Sequence, residues 1–165
     1  VYAICKNISF KRLGLEFHIY GDGNEKQKIK LLSEKGGNNI FYHGSVSKSE
    51  LHKLLPNYHA SIVPLSSRIY GAVPSKIYEL ILFNIPILFS GEGEGAEIIS
   101  DNNLGFVSPS GDHSELEQNL KDFSTLSGRE YKALVSNCSN YAEHSLNLQK
   151  QITQLNSKLK ELIKS

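Results

Sequence analysis

Apolar and polar positions along the chain alternate between a strand-like and a helix-like period. Short apolar runs predict five strands, at 15–20, 39–44, 60–65, 85–89 and 104–108. Helical spacing between them predicts helices, over 25–35, 47–55, 74–84, 96–100 and 112–123. Strands that alternate with helices indicate an α/β fold with right-handed crossovers. The pattern therefore predicts a Rossmann-like parallel sheet with helices on both faces.

Both ends of the chain depart from this alternation. Residues 1–14 are predicted to be helical, and a doubly wound domain usually begins with a strand, so we expect the sheet to lack its first strand. Near the C-terminus, apolar residues recur with heptad spacing, at Leu148, Ile152, Leu155, Leu159 and Leu162. About two repeats are too short for a coiled coil alone, so an amphipathic helix packed on another element is favoured. We predict a domain over 1–142 and a C-terminal amphipathic helix over 143–165.

Four residues mark predicted helix starts. Asn24 can cap the first helix after a strand. Ser47 and Asp112 are each followed three residues later by glutamate, which predicts two capping boxes. Pro74 is placed at the first helical position, where its missing N–H matters least.

Composition narrows the function classes. Eighteen Lys and Arg stand against 17 Asp and Glu, which argues against a nucleic acid as the main partner. Cys5 and Cys138 form no CxxC pair, so neither a disulfide scaffold nor a zinc finger is expected, and a reduced, cytosolic compartment fits best. No apolar run suits a membrane span, and no signal peptide is expected. The chain has no Met, so we expect it to be part of a longer protein.

The first candidate binding element is the glycine turn after the first strand. Gly21 and Gly23 match two glycines of GxGxxG, but Lys26 stands in place of the third. The second strand ends in His43 and Gly44, without the carboxylate that would hold a dinucleotide ribose. The dinucleotide motif therefore fails twice, and a plain strand-to-helix turn is favoured over a phosphate contact at Gly21.

The strongest candidate is the segment 73–79. With Pro74 at the first helical position, the N–H groups of residues 75–77 point out of the positive end of the helix dipole. Lys76 adds a full charge, which makes an anion site suited to a diphosphate. Glu79 lies about 4.5 Å further along the same face and could accept hydrogen bonds from the vicinal diol of a ribose. The alternative is a Lys76–Glu79 surface ion pair on an otherwise largely buried helix.

Three more loops carry candidate residues. The 91–95 loop could bring the Gly93 backbone close to a ligand, although a solvated turn is favoured. Residues 44–46 lie at another strand end and could receive a base, and Arg68 could reach a phosphate. The histidine spacing indicates no metal site, and GxSxG and Asp-x-Asp are both absent. Any chemistry on a sugar nucleotide is therefore expected to be metal-free.

Five segments, in this order, resemble the C-terminal domain of glycosyltransferase family 4 over about residues 15–125. They are IYGDG, NIFYHGSVSKSELHKLL, ASIVPL, VPSKIYELILFNIPIL and GEGEGAEIISDNNLGFVSPSGD. The VPSKxxE variant is similar to transferases of bacterial capsule or O-antigen polysaccharides. The resemblance implies the GT-B fold, in which two Rossmann-like domains face a cleft and the C-terminal one binds the nucleotide-sugar donor. It also implies retention of the anomeric configuration and no metal. The tail resembles the family's last helix, which implies that the helix over 143–165 crosses back to the N-terminal domain.

Position by position, the resemblance assigns roles to the candidate residues. Glu79 matches the second glutamate of the family's Glu-x7-Glu motif, beside the ribose, and Ser75 and Lys76 would lie by the diphosphate. Gly71 stands where the first glutamate would be, which puts the contact with the donor sugar in doubt. The base would lie against three residues, Gly44, Ser45 and Val46.

These observations predict the donor-binding half of a retaining, metal-independent glycosyltransferase of surface polysaccharide synthesis. We expect a UDP- or GDP-sugar donor, no cofactor, no nucleic-acid partner, and a sugar or lipid-linked acceptor held by a separate N-terminal domain. The expected location is the cytoplasm, with peripheral contact to the inner membrane left open. Two alternatives are a UDP-sugar epimerase of GT-B fold and a degenerate interaction domain that pairs through residues 148–162, which Gly71 favours.

Overall fold

The computed structural model describes residues 1–65, 73–147, 152–153 and 155–156. Within these ranges the strands are β1 (Phe17–Tyr20), β2 (Ile40–Gly44), β3 (Ser61–Pro64), β4 (Ile87–Ser90) and β5 (Gly105–Ser108). The helices are α1 (Tyr2–Asn7), α2 (Lys26–Lys35), α3 (Lys48–Leu54), α4 (Ser75–Leu82), α5 (Glu94–Asp101), α6 (His113–Ser124) and α7 (Gly128–Ser145), with a short 3-10 turn at Leu55–Asn57. The α/β alternation and the parallel pairing of the strands are confirmed.

The strands form two sheets in place of the single layer that the sequence predicts. β1 pairs with β2, and β4 lies between β3 and β5 in a separate sheet. The usual doubly wound order is 3-2-1-4-5-6, so the first strand lies between the second and the fourth. If β1 is counted as the second strand, the break between the two sheets falls at the place of the first strand. That is the strand that the sequence is expected to lack.

Two hydrophobic clusters hold the sheets and helices together. The first joins β3 and β4 to α4, α5 and α7, and its buried members are Leu55, Val63, Ile77, Leu80, Ile81, Ile85, Ile87, Phe89, Ile99, Leu104 and Cys138. The second lies on the opposite face, with buried members Ile4, Cys5, Ile8, Phe10, Ile40, Leu88, Leu116 and Leu120. Phe17 and Ile19 of β1 and Ile62 of β3 pack against this second cluster. The two sheets therefore act as two parts of one layer with helices on both faces.

The predicted helix starts are confirmed at Ser47 and corrected elsewhere. Ser47 and Glu50 exchange both bonds of a capping box. α2 begins after Glu25, whose side chain makes no cap bond, so the prediction of an Asn24 cap is wrong. Asp112 accepts from the N–H of Glu115 at 2.9 Å, which is a single cap in place of the predicted box. The N-terminal helix ends at Asn7, well before residue 14.

The sequence analysis missed α7. This helix starts with a capping box formed by Ser127 and Glu130, the same signal that located α3. It packs against α4 and buries Cys138, whose Sγ lies 3.9 Å from the Leu104 carbonyl oxygen. α7 is therefore part of the core.

The predicted apolar seam after residue 147 lies mostly outside the described residues. Ile152 and Leu155 are helical and exposed, and the boundary at 142/143 stays a prediction. Across the described ranges, no helix is both long enough and apolar enough to cross a bilayer.

Candidate functional site

The carboxyl ends of β1 and β2 bring two predicted glycines together. The Gly21 N–H donates to the Gly44 carbonyl at 2.8 Å, and the Tyr42 hydroxyl donates to the Gly21 carbonyl at 3.0 Å. Both glycines have positive φ, and a Cβ on either would meet nothing within 4 Å. The chain continues through exposed Ser45 and half-buried Val46. The predicted base turn therefore presents open backbone at a strand end, where α/β sheets bind ligands.

The capping box of α3 fixes the helix that follows this turn. The Ser47 hydroxyl accepts from the Glu50 N–H at 3.3 Å, and the Glu50 carboxylate accepts from the Ser47 N–H at 2.9 Å. Bonds from the Ser47 side chain and backbone lower the pKa of Glu50, because they favour its charged form. Since the cap sets the phase of the helix, Lys48 and His52, four residues apart, lie on one face.

Glu79 is held by that face of α3. His52 Nε2 lies 2.7 Å from Glu79 Oε1, and Lys48 Nζ lies 3.9 Å from the same oxygen. The Glu79 side chain is 30% exposed. Its histidine partner is 33% exposed and Lys48 is 77% exposed, so the histidine contact is the shorter and the less solvent-exposed of the two. Oε2 has no partner among the described residues, which leaves it open to a ligand. These contacts place the carboxylate next to the helix that follows the predicted base turn.

The start of α4 differs from the prediction in one respect. Pro74 precedes the helix as its N-cap, and its carbonyl accepts from the Ile77 N–H at 2.9 Å. The prediction that three N–H groups are free is therefore wrong. Only those of Ser75 and Lys76 lack an acceptor in the part of the chain that the structure describes. Both residues are exposed, so the predicted anion site would comprise two amides and one ammonium group.

The alternative Lys76–Glu79 ion pair is not found among the described contacts, because Glu79 pairs with α3. The expectation that α4 is buried on nearly all sides is also wrong. Ile77, Leu80 and Ile81 are buried, whereas Leu82 is 59% exposed. Glu79 therefore lies at the edge of a one-sided helix, where a carboxylate can meet a ligand without full desolvation.

A close approach of α5 to α4 brings Gly93 toward the same end of the sheet. A Cβ added to Gly95 would lie 3.0 Å from Ile77 Cδ1 and 3.5 Å from Pro74 Cδ. A glycine at this position therefore lets the first turns of the two helices touch. α5 begins at Glu94, two residues before its predicted start, and Gly93 is its N-cap residue with φ 86°. The predicted 91–95 loop is thus short, and it is held next to the start of α4 at Gly95.

The sequence analysis missed the two partners of Glu79. Their only signal was the Ser47 capping box, which sets the phase of α3 and puts Lys48 and His52 on one face. Which helix that face meets depends on tertiary packing, and neither hydrophobic period nor spacing reveals it.

Two predicted positions, Arg68 and Gly71, lie outside the described residues. Within the ranges that are described, no cluster of three or more His, Cys, Asp or Glu could hold a metal ion. An open cavity of about 730 Å³ lies after β5 and is lined by residues 109–114 with Asn7 and Glu117. None of the predicted site residues lines it.

Comparisons with known proteins bear on this arrangement. Residues 3–145 match the family model described as Glycosyl transferases group 1. A search among curated proteins finds no match. Among solved structures, WaaG, a glycosyltransferase involved in lipopolysaccharide biosynthesis, matches with TM-score 0.69 and 18% identity, covering 87% of this chain and 38% of that one.

Two further structures were solved with ligands. A TarM mutant of S. aureus, in complex with fondaparinux, alpha-GlcNAc-glycerol and UDP, matches with TM-score 0.68 and 18% identity over 87% of this chain and 29% of that one. The pneumococcal O-GlcNAc transferase GtfA, in complex with UDP and GlcNAc, matches with TM-score 0.64 and 19% identity over 99% and 32%. At these identities the likeness shows the fold, the Rossmann-like C-terminal half of a GT-B architecture. The chain spans 29% to 38% of the length of these three structures.

Proposed function

Because the chain belongs to the family Glycosyl transferases group 1, we propose that it is the donor-binding half of a retaining, metal-independent glycosyltransferase. The observation that carries the proposal is the contact between Glu79 and α3. It puts a carboxylate that is 30% exposed beside α3, the helix that follows the open glycine turn. Two amides and the Lys76 ammonium group lie at the start of α4, the helix that carries Glu79. Base, ribose and diphosphate of a nucleotide could then lie along one path.

Each part of the site has a chemical task in this proposal. The base lies against the backbone of residues 44–46, and Glu79 Oε2 accepts from a ribose hydroxyl. The diphosphate lies at the N-terminus of α4, where the Ser75 and Lys76 amides and the helix dipole favour negative charge. As the sugar leaves, charge grows on the β-phosphate, and Lys76 stabilises it in place of a metal ion. Gly93, the N-cap residue of α5, lies on the sugar side.

The substrates we propose are a UDP- or GDP-sugar and a sugar or lipid-linked acceptor, with the acceptor held by a second domain across the cleft. The UDP in the TarM and GtfA structures supports the donor class. Capsule or O-antigen synthesis at the cytoplasmic side of a bacterial inner membrane is the context that the VPSKxxE variant favours. WaaG, whose reaction belongs to lipopolysaccharide biosynthesis, supports that context.

The experiment that tests this proposal is a titration with UDP, GDP, ADP and TDP, followed by NMR or thermal shift. We expect one nucleotide to bind, and Glu79→Ala and Lys76→Ala each to weaken it by about tenfold or more, since hydrogen bonds to charged groups are worth roughly 1.5–3 kcal/mol. The exposed residues Glu143 and Lys132 provide matched controls, whose alanine variants should bind as the wild type does. Absence of binding at millimolar nucleotide would refute the proposal.

A further inference from the structure

We propose that His52 is a positioning residue that makes the site select ribonucleoside diphosphates over their 2′-deoxy counterparts. This inference rests on the proposed function, since it concerns how Glu79 meets the ribose. It assigns a role to a residue of α3 that would not itself touch the nucleotide.

The contact between His52 and Glu79 has a defined proton position. A carboxylate only accepts hydrogen bonds, and His52 Nε2 lies 2.7 Å from Glu79 Oε1. Nε2 therefore carries a proton, both in the neutral ring and in the imidazolium form. The carboxylate is thus held by the same N–H in either state of the ring.

The histidine ring is itself held in place by α4. Its centroid lies 4.6 Å from that of Phe83, with the rings tilted by 47°. Phe83 follows Glu79 by four residues, so both side chains lie on one face of the helix end. His52 therefore packs between an aromatic ring and a carboxylate, and its χ angles are fixed by both.

In this arrangement the two carboxylate oxygens of Glu79 have different roles. Oε1 is occupied by His52, which restrains the carboxylate, and Oε2 has no partner among the described residues. In the described part of the chain, Lys48 is the other cation near Glu79, and its ammonium group is 3.9 Å away on an exposed side chain. Without His52 the carboxylate would follow this long side chain, and its bond to a ribose hydroxyl would lose its fixed geometry.

The test compares the affinities for a ribonucleotide and its 2′-deoxy form. UDP and GDP are each titrated beside 2′-deoxy-UDP and 2′-deoxy-GDP, and the ratio of the two dissociation constants is the readout. His52→Phe keeps a ring against Phe83 but removes the donor, whereas His52→Gln keeps an N–H donor at a similar reach. We expect the wild type to prefer the ribonucleotide by about tenfold, the value of one charged hydrogen bond. His52→Phe should abolish the preference and His52→Gln should retain most of it.

The outcomes separate this inference from the proposed function. If Glu79→Ala loses binding but His52→Phe keeps the full ribose preference, His52 has no positioning role and the donor site stands. If His52→Gln loses the preference as completely as His52→Phe, with both variants folded by circular dichroism, the N–H donor is not what matters and the inference fails. If the wild type binds none of the nucleotides, the proposed function fails and this inference fails with it.

Discussion

The two sheets use strands of the same length range but bury them very differently. All four residues of β4 are buried, whereas all four of β1 are only half-buried. β4 has a strand on each side and helices on both faces, and its apolar run matches that setting. β1 has β2 on one side and alternates Phe17 and Ile19 with His18 and Tyr20. The burial of a strand thus follows the number of elements packed around it. The sequences agree with this, since β4 is a nearly continuous apolar run and β1 alternates apolar and polar residues.

The forces that hold the two sheets differ accordingly. The three-stranded sheet is covered mainly by apolar side chains, while polar rings cover one face of β1 and β2. His18 Nδ1 lies 2.9 Å from His43 Nε2, and the rings of Tyr20 and His43 stack at 4.5 Å. The Tyr20 and Tyr58 hydroxyls are 2.7 Å apart. Burial, together with this bond, raises the pKa of Tyr58 to about 12. The two-stranded sheet should therefore be the more tolerant of backbone change.

The largest expected difference is between glycines of the two sheets. In Gly105→Ala, the new Cβ would lie 1.9 Å from the Ile87 carbonyl oxygen, so β4 and β5 must separate. We expect a loss of about 3 kcal/mol or more in the free energy of unfolding, or failure to fold. Gly44→Ala in β2 meets nothing within 4 Å and carries only the strain of φ 72°, about 1–2 kcal/mol. Urea unfolding measures the free energy of unfolding of both variants. Equal losses in the two variants would contradict the expected difference between the two sheets.

A second difference concerns the two strand edges at the break. In β1 and β3, alternate N–H groups donate to the partner side, at Phe17, Gly21, Ser61 and Leu65. By the two-residue period of a strand, the N–H groups of His18 and Ile62 point toward the break. In the described residues these two groups have no acceptor.

Hydrogen exchange measures this difference residue by residue. We expect the His18 and Ile62 amides to exchange at least about tenfold faster than the Ile19 and Val63 amides beside them, which face partner strands. The neighbours serve as internal controls within the same strands. Equal protection of all four would contradict an open strand edge at the break.

The smallest expected effects are at two helix caps, those of α3 and α7. Ser47→Ala and Ser127→Ala each remove an N-cap, which costs about 1 kcal/mol. Bonds from these serines lower the pKa of Glu50 and Glu130. Each carboxyl therefore stabilises the fold above its ordinary pKa near 4.5, and this contribution is lost as the pH falls through the lowered value.

The measurement is thermal unfolding of wild type and both variants at pH 7 and pH 3. We expect the variants to be less stable than the wild type at pH 7 and to lie closer to it at pH 3. A difference that grows on acidification would contradict the cap geometry.

The strands and most helices could be predicted because their signals are local. The apolar run of β4 and the Ser47 capping box act within a few residues, and both were confirmed. Asn24 and Pro74 show the limit of such signals, since a cap residue can be displaced by one position when the preceding loop sets another backbone angle. α7 was missed although Ser127 and Glu130 carried the same pattern as α3.

The candidate site was predictable only in part, because it depends on contacts between distant segments. The meeting of Gly21 with Gly44 follows from parallel pairing, which places both strand ends at one edge. The contact of Glu79 with His52 joins residues 27 positions apart through helix packing. No periodicity encodes that contact. The roles of Arg68 and Gly71 and the helix over 143–165 stay predictions.

The burial of both cysteines has a practical consequence for labelling. Burial raises the pKa of Cys5 and of Cys138 to about 11, so almost no thiolate exists at neutral pH. These are the two cysteines of the sequence. A thiol introduced at an exposed position of α3, as in Lys53→Cys, would therefore react first with a maleimide dye. The two native cysteines should therefore remain unlabelled, and the fluorescence of a dye on α3 can be used to follow nucleotide binding in real time.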